Sequence, residues 1–473
     1  MISFILCLAA LILGYLFYSK YVEKAFGADE SIATPATRLE DGVDYVPLPL
    51  WRIFLIQFLN IAGLGPIFGA IAGALWGPIA FLWIVLGTIF AGGVHDYFSG
   101  MLSSRHDGAS ISEVVGKYLG PFMQKFMRIF SVVVLVLVGV VFVSGPAGLL
   151  QGITSLSSSV WIYIIFAYYL LATILPIDKL IGKIYPVFGL VLLIMAVGII
   201  GGIIFGHYTI PEIQLVNMHP SKLPVFPFVF ITIACGAISG FHATQSPMMA
   251  RCITSEKQGR RVFYGAMVSE GIVALIWAAA AMAFFGSTGA LGEALTAHGG
   301  AAYVVNTISN TLLGKIGGFL AILGVVVCPI TSGDTAFRSA RLTIADSFKL
   351  KQEPIKNRFL ISIPLFAVGF LLTRIDFTVI WRYFAWSNQT LAMIALWAAA
   401  VYMVLYKRNF WIAAIPAAFM SAVTTIYILV APEGFQLSNT IAYPIGFGIT
   451  LLYCALFARY VVKHKNKEVS KVS

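Results

Sequence analysis

Long apolar runs separated by short charged islands dominate this chain. Ile129 to Val143, Tyr185 to Phe205 and Val262 to Phe285 each run with at most one charge, over roughly the length a helix needs to cover ~30 Å of hydrocarbon. Inside a bilayer every backbone amide needs an internal partner, so such runs fold as helices packed against one another. Composition agrees: 59% of the 473 residues are hydrophobic and 11% charged, against the ~25% charged of a soluble protein. A water-facing surface cannot be built from that. The net charge of +11 would suggest nucleic acid in a soluble chain. Here the basic residues punctuate the spans, where anionic headgroups and topology place them, so nucleic-acid binding is set aside.

The predicted class is an all-α polytopic membrane protein with about thirteen transmembrane helices, near 2–18, 51–74, 77–102, 125–150, 160–176, 184–206, 225–250, 262–286, 316–336, 358–373, 380–405, 410–430 and 441–461. The first run, Ile2 to Tyr18, has no basic residue before it and no small-residue cleavage site after it, which predicts an uncleaved span. With that count, 27 of the 31 Lys and Arg fall on one face and only Lys222, Lys315, Arg374 and Arg382 on the other. The positive-inside rule then predicts an external N-terminus and a cytoplasmic C-terminus.

Two spans are interrupted. One reads Asn60-Ile61-Ala62-Gly63-Leu64-Gly65-Pro66, the other Gly236 through Ser239-Gly240-Phe241-His242 to Gln245 and Pro247. A Gly/Pro break at membrane depth is tolerated where protein or a water-filled cavity receives the freed backbone groups. Each break opens a set of five spans, and the two sets start from opposite faces. That is the pattern of an inverted repeat with a substrate site at the midplane. The expected organisation is a peripheral helix and cytoplasmic loop over 1–50, repeat 1 over 51–206, repeat 2 over 207–405 with an external lid at 286–314, and two accessory helices with a basic tail over 406–473. Glycines recurring every fourth residue (Gly65, Gly69, Gly73, Gly77; Gly198, Gly202, Gly206) predict close helix packing.

Ionisable groups inside spans are costly enough to be functional candidates. His95 and Asp96, counted from the cytoplasmic end of their span, are expected at the inner mouth as a gate pairing with a loop arginine, or as a proton relay with Glu270. Glu270, about nine residues into its span, needs a partner or a proton. His242 beside the second break is a candidate proton-linked substrate ligand. Asp334, in Cys328-Pro329-Ile330-Thr331-Ser332-Gly333-Asp334-Thr335, sits among hydroxyls that suit Na⁺, or as a buried carboxylate suits H⁺. Thr331, Ser332 and Asp334 are thus the expected ion-coupling residues, with pairing of Asp334 to Arg338 one turn on as the structural alternative. Arg382 is expected to snorkel or pair at the external interface. Half-helix N-termini at the breaks favour a carboxylate; Asn60, Gly63, Gly65, Ser239, Gly240, His242 and Gln245 are the expected substrate ligands.

No metal site is expected, because no third ligand accompanies His95 and Asp96 at a ligand spacing. Five cysteines without a C-x-x-C imply neither disulfide nor zinc. No P-loop or dinucleotide motif appears, so no cofactor is expected, and an H⁺ or Na⁺ gradient is the favoured energy source. A channel would need a continuous polar lining, and an intramembrane enzyme would have to draw His95, Asp96 and Asp334 from separate spans. A nutrient sensor would need a signalling domain.

Several separate motifs carry a resemblance: Gly42-Val43-Asp44-Tyr45-Val46-Pro47, Ile61 to Gly69, Gly93-Val94-His95-Asp96-Tyr97, Arg105 to Ser110, Ser239 to Pro247 and Pro329 to Arg341. Together, from about residue 42 to about 405, they resemble the carbon starvation protein A family. That resemblance implies an inner-membrane carrier with a leucine-transporter-like inverted repeat, taking up peptides, or pyruvate by proton symport, under nutrient limitation. Where longer members carry paired histidines before the first break, this chain has Gln57 and Phe58. The expectation for function is a secondary active transporter that imports a small carboxylate-bearing solute, pyruvate or a short peptide, by H⁺ or Na⁺ symport with alternating access.

Overall fold

The computed structural model describes residues 1–42, 44–174, 177–352 and 354–464. Val43, the basic tail beyond His464 and the side chains of Lys179 and Lys183 lie outside the described residues. Among the described residues all regular structure is helical: α1 (Ile2–Phe26), α2 (Leu50–Ile61), α3 (Gly65–Trp76), α4 (Ile79–Arg105), α5 (Ile111–Leu119), α6 (Pro121–Gln151), α7 (Ser158–Ala172), α8 (Ile177–Phe205), α9 (Phe228–Thr232), α10 (Gly240–Ala250), α11 (Glu256–Phe285), α12 (Thr288–Ala297), α13 (Gly300–Phe348), α14 (Ile355–Leu372), α15 (Phe377–Leu405), α16 (Trp411–Val430) and α17 (Asn439–His464).

Ten of these helices are long and apolar enough to span a membrane, and the α2–α3 pair, bent by 55°, makes up to eleven. Thirteen spans were expected. The two remaining expected spans correspond to α7, an apolar helix of 15 residues, and to the α9–α10 pair, split by a non-helical stretch that turns at Cys235 to Ala237. Length and composition alone therefore stop short of thirteen, because a broken or short helix loses the continuous apolar window that marks a span.

The two breaks have local causes. α2 ends at Ile61, where Ala62 leaves helical geometry (φ −80°, ψ 54°), and a new helix starts at Gly65 with Pro66 in its first turn, where the missing N–H breaks no intrahelical bond. Between α9 and α10 the chain is non-helical from Ile233 to Ser239. The sequence reading carried this second break as far as Pro247, but Pro247 lies inside α10. The helix continues through it while Ser246 Oγ donates to the His242 carbonyl at 2.9 Å and Thr244 Oγ1 to the Phe241 carbonyl at 2.6 Å. The polar segment 286–314 folds as α12 and the start of α13, which turns at Gly314 with φ 67°, a conformation open to glycine without a Cβ penalty.

Burial sorts the helices. The spans of α4, α11, α13 and α15 are mostly enclosed, whereas α17 is almost wholly exposed. Leu451, Leu456 and Val462 on α17, and Val197 and Phe205 on α8, present large apolar side chains outward. On a soluble protein such patches mark an interaction surface; here they suit lipid. The Gly65, Gly69 and Gly73 stripe of α3 faces α9 and the second break. A Cβ on Gly69 would stand 2.9 Å from the Thr232 carbonyl oxygen, and one on Gly65 would overlap Cys235. Small residues thus bring the two breaks into contact.

Candidate functional site

At the bundle centre the breaks meet. Gly65 abuts Cys235, and a Cβ on Gly236 would stand 3.6 Å from Pro66 Cα. The Phe142 side chain of α6 sets its ring against Gly63 and its Cβ beside Gly333, and the ring packs edge-on to Phe241, ring centroids 5.8 Å apart. One aromatic side chain thereby touches both breaks and α13.

The freed backbone groups are received by side chains from other helices, as a break at membrane depth requires. At the end of α2, Cys328 Sγ donates to the Ala62 carbonyl at 2.9 Å, and Ser332 Oγ to the Leu59 carbonyl at 3.1 Å. At the second break, α4 supplies Trp83 Nε1 to the Ile233 carbonyl at 3.1 Å and Thr88 Oγ1 to the Gly236 carbonyl at 3.2 Å. α15 supplies the cap of α10: the Phe241 amide donates to Asn388 Oδ1 at 3.0 Å.

Beside this junction runs a chain of four fully enclosed titratable groups. His95 Nδ1 lies 2.7 Å from Asp96 Oδ1, Asp96 Oδ2 lies 2.8 Å from His242 Nδ1, and His242 Nε2 lies 3.3 Å from Glu270 Oε2. The first two contacts are hydrogen bonds; the third is an ion-pair distance without hydrogen-bond alignment. The chain joins α4, α10 and α11 and has open ends, since His95 Nε2 and both Glu270 oxygens have no hydrogen-bond partner among the described residues. It is linear rather than convergent, and among the described residues no group of three or more His, Cys, Asp or Glu could hold a metal ion.

This geometry corrects the expectation that Asp96 pairs with a loop arginine. Its partners are His95 and His242. α4 runs on to Arg105, and the π-turn Thr88–Gly92 inserts a residue just before Gly93, rotating His95 and Asp96 relative to a regular helix. The loop-side arginine is Arg105, which pairs instead with Glu256: Nε to Oε1 at 2.8 Å and Nη2 to Oε2 at 2.9 Å. Arg105 also donates to the Gly27 carbonyl at 2.8 Å and to the Tyr402 hydroxyl at 2.5 Å, and lies over the Phe26 ring. Sequence reading did not single out Glu256 or Tyr402, because nothing local marks them. Next to this clasp His106 Nε2 meets Tyr118 Oη at 2.6 Å and Nδ1 meets Lys117 Nζ at 3.2 Å. Burial, then the Lys117 charge, lower its pKa to about 4.

Among the described residues, Asn60 is fully enclosed with neither carboxamide atom hydrogen-bonded, and Gln245 keeps Oε1 unpartnered; both are expected substrate ligands. Gln57 Nε2 reaches Ser246 Oγ at 3.4 Å, tying α2 to α10. Ser239 Oγ accepts from Cys235 Sγ at 3.5 Å, and Gly240 packs on Asn388 and Leu391 of α15. Gly63, Gly65, Ser239, Gly240, His242 and Gln245 all lie buried at or beside the two breaks. The expected ion-coupling residues are occupied otherwise. Thr331 Oγ1 donates to the Cys328 carbonyl at 2.7 Å, Ser332 donates to the Leu59 carbonyl, and Asp334 Oδ2 lies 3.3 Å from Arg338 Nη2. Arg382 pairs with Glu433 at 3.0 Å.

Comparison with known proteins agrees with this architecture. An uncharacterized membrane protein of Haemophilus influenzae is 44% identical over 351 residues, covering 63% of this chain and 95% of the relative. The pyruvate/proton symporter BtsT of Escherichia coli is 28% identical, covering 56% of this chain and 46% of its own length, so the match spans about half of that relative. The peptide transporter CstA of Bacillus subtilis is 28% identical, covering 94% of this chain and 92% of the relative. The fold is shared with the crystal structure of the Eremococcus coleocola manganese transporter bound to an aromatic bis-isothiourea substituted compound: TM-score 0.57, 15% identity, 90% of this chain and 99% of that one. The profile of the carbon starvation protein CstA family matches residues 1–147, 143–290 and 286–427, and with that coverage the chain belongs to the carbon starvation protein CstA family.

Proposed function

We propose that this protein is a secondary active transporter of the inner membrane that imports a small carboxylate-bearing solute, pyruvate or a short peptide, by proton symport with alternating access. The observation that carries the reading is the contact of the two helix breaks, Gly65 on Cys235 and Pro66 beside Gly236, with a buried titratable chain alongside. Discontinuous helices meeting mid-bundle are how carriers build a midplane site. The similarity to a pyruvate/proton symporter and to a peptide transporter supports the same substrate classes.

In this reading the spans from α2 to α8 form one five-span repeat and those from α9 to α15 its inverted counterpart, with α1, α16 and α17 peripheral. The N-terminus is external and the C-terminus cytoplasmic, an orientation supported by the distribution of Lys and Arg. The backbone at Gly63 to Pro66 and Ser239 to His242 cradles the carboxylate, and the open carboxamides of Asn60 and Gln245 orient it. A chain of two carboxylates and two imidazoles exchanges one proton between states that differ by a unit of charge. His95, Asp96, His242 and Glu270 are accordingly the proton-coupling residues. Protons are preferred to Na⁺ because the Arg338 guanidinium already neutralises Asp334.

Uptake of labelled pyruvate and of a labelled dipeptide into proteoliposomes tests this directly, with pH and Na⁺ gradients imposed separately. Accumulation of either solute with an inward proton gradient supports the reading. Accumulation under neither gradient refutes the substrate class, and accumulation under Na⁺ alone refutes the coupling ion.

A further inference from the structure

A second set of polar groups lies apart from the breaks and the histidine chain. Asp334, Arg338 and Arg341 follow one another on α13 at spacings of four and three residues, so they stack along one face of its C-terminal part. All three are buried. Arg338 Nη2 is shared between Asp334 Oδ2 and the Ala172 carbonyl at 3.1 Å, and its Nε has no acceptor. Arg341 is only 5% exposed. Its guanidinium makes no hydrogen bond or ion pair among the described residues. The fully buried Tyr169 hydroxyl lies against Gly333 and is likewise unpartnered. Asp334 is within electrostatic reach of Tyr169 and Arg341, and Arg358 adds a further cation near Arg341.

Among the described residues the two largely buried arginines of this face share one carboxylate, Asp334, so positive charge is in excess there. A buried charge in that condition is strongly unfavourable unless an anion completes it. The open donors on this face are Arg338 Nε–H and the Arg341 fork. Planar guanidinium donors match the two oxygens of a carboxylate. We propose that Arg338 and Arg341, one turn apart on the same face of α13, form an anion subsite, distinct from the breaks, that takes a carboxylate. A cation is repelled there. In the proposed orientation this stripe lies toward the cytoplasm, so its occupant is the transported carboxylate on its inward path; that last step rests on the transport reading, whereas the subsite itself does not.

The test uses the full chain in nanodiscs of phosphatidylcholine alone or with added phosphatidylglycerol, with acetate and pyruvate as probes and thermal unfolding as the readout. In phosphatidylcholine both anions raise the unfolding temperature of the wild type. R341Q weakens the half-saturating acetate concentration by about tenfold or more, and R341K retains part of the response. Without anion, R341Q unfolds no earlier than wild type, because the excess charge is gone; a merely structural Arg341 would instead lower stability in every condition. An identical acetate response in R341Q overturns the subsite. Stabilisation by phosphatidylglycerol that needs Arg341, with no response to acetate, assigns the charge to a lipid phosphate and also overturns it. An acetate response in a protein that transports neither pyruvate nor dipeptide leaves the subsite standing and removes the transport reading.

Discussion

His242 Nδ1 lies 2.8 Å from Asp96 Oδ2, and the same imidazole turns Nε2 toward Glu270 Oε2 at 3.3 Å. One histidine on the half-helix after the second break therefore bridges carboxylates from two other helices. Any movement of α10 against α4 and α11 must stretch or break this bridge, which ties the site's protonation to its geometry. D96N and E270Q are expected to lower pH-gradient-driven uptake by about tenfold to a hundredfold, ~1.4–2.8 kcal/mol, while solute exchange without a gradient persists. Undiminished gradient-driven accumulation in D96N would remove the histidine chain from coupling.

Arg105 and Glu256 form a two-pronged pair in which Glu256 is almost fully enclosed. R105A strands that carboxylate, at a cost on the order of 3–5 kcal/mol, whereas R105A/E256A restores much of the loss. Thermal unfolding of the two single variants and the double variant in detergent gives the coupling. Additive losses would show that the pair does not hold α4 to α11.

Asn388 caps α10 by accepting the Phe241 amide at 3.0 Å. N388A leaves a buried N–H without a partner, which costs ~1–3 kcal/mol. Because that amide opens the half-helix proposed to face the solute, affinity is expected to weaken more than expression. Unchanged KM and unchanged unfolding temperature in N388A would contradict this role.

His106 stays neutral in the folded protein down to about pH 4, whereas an unfolded histidine protonates near ~6.5. Below that value the unfolded chain binds the additional proton. The His106 contribution to stability is thus fully present above about pH 6.5 and falls as pH drops toward 4. H106Q should flatten the pH dependence of the unfolding temperature across that window. A wild-type slope retained in H106Q would place the dependence elsewhere.

Much of the fold was legible in local sequence. Apolar runs located the helices, and Gly63, Gly65 and Pro66 located the first break, because both signals act within one turn of backbone. The polar residues at the second break, Ser239 to Gln245, were likewise visible. Partners were less so. Asp96 reads as an inner-mouth residue when depth is counted from a span end, but the π-turn Thr88–Gly92 and the longer helix place it against His242. Pro247 reads as a breaker, yet α10 continues through it.

By itself the sequence determined that the chain is a bundle of membrane helices, that two of them are interrupted, and which costly polar residues are buried with them. Those properties follow from hydropathy and backbone chemistry over a few residues. Tertiary structure alone decided that Gly65 rests on Cys235, that His242 joins Asp96 to Glu270, and that Arg341 is buried with no hydrogen bond or ion pair among the described residues. Each is a meeting of groups remote in sequence or the lack of one, and it depends on how helices are rotated and packed, which no local period encodes.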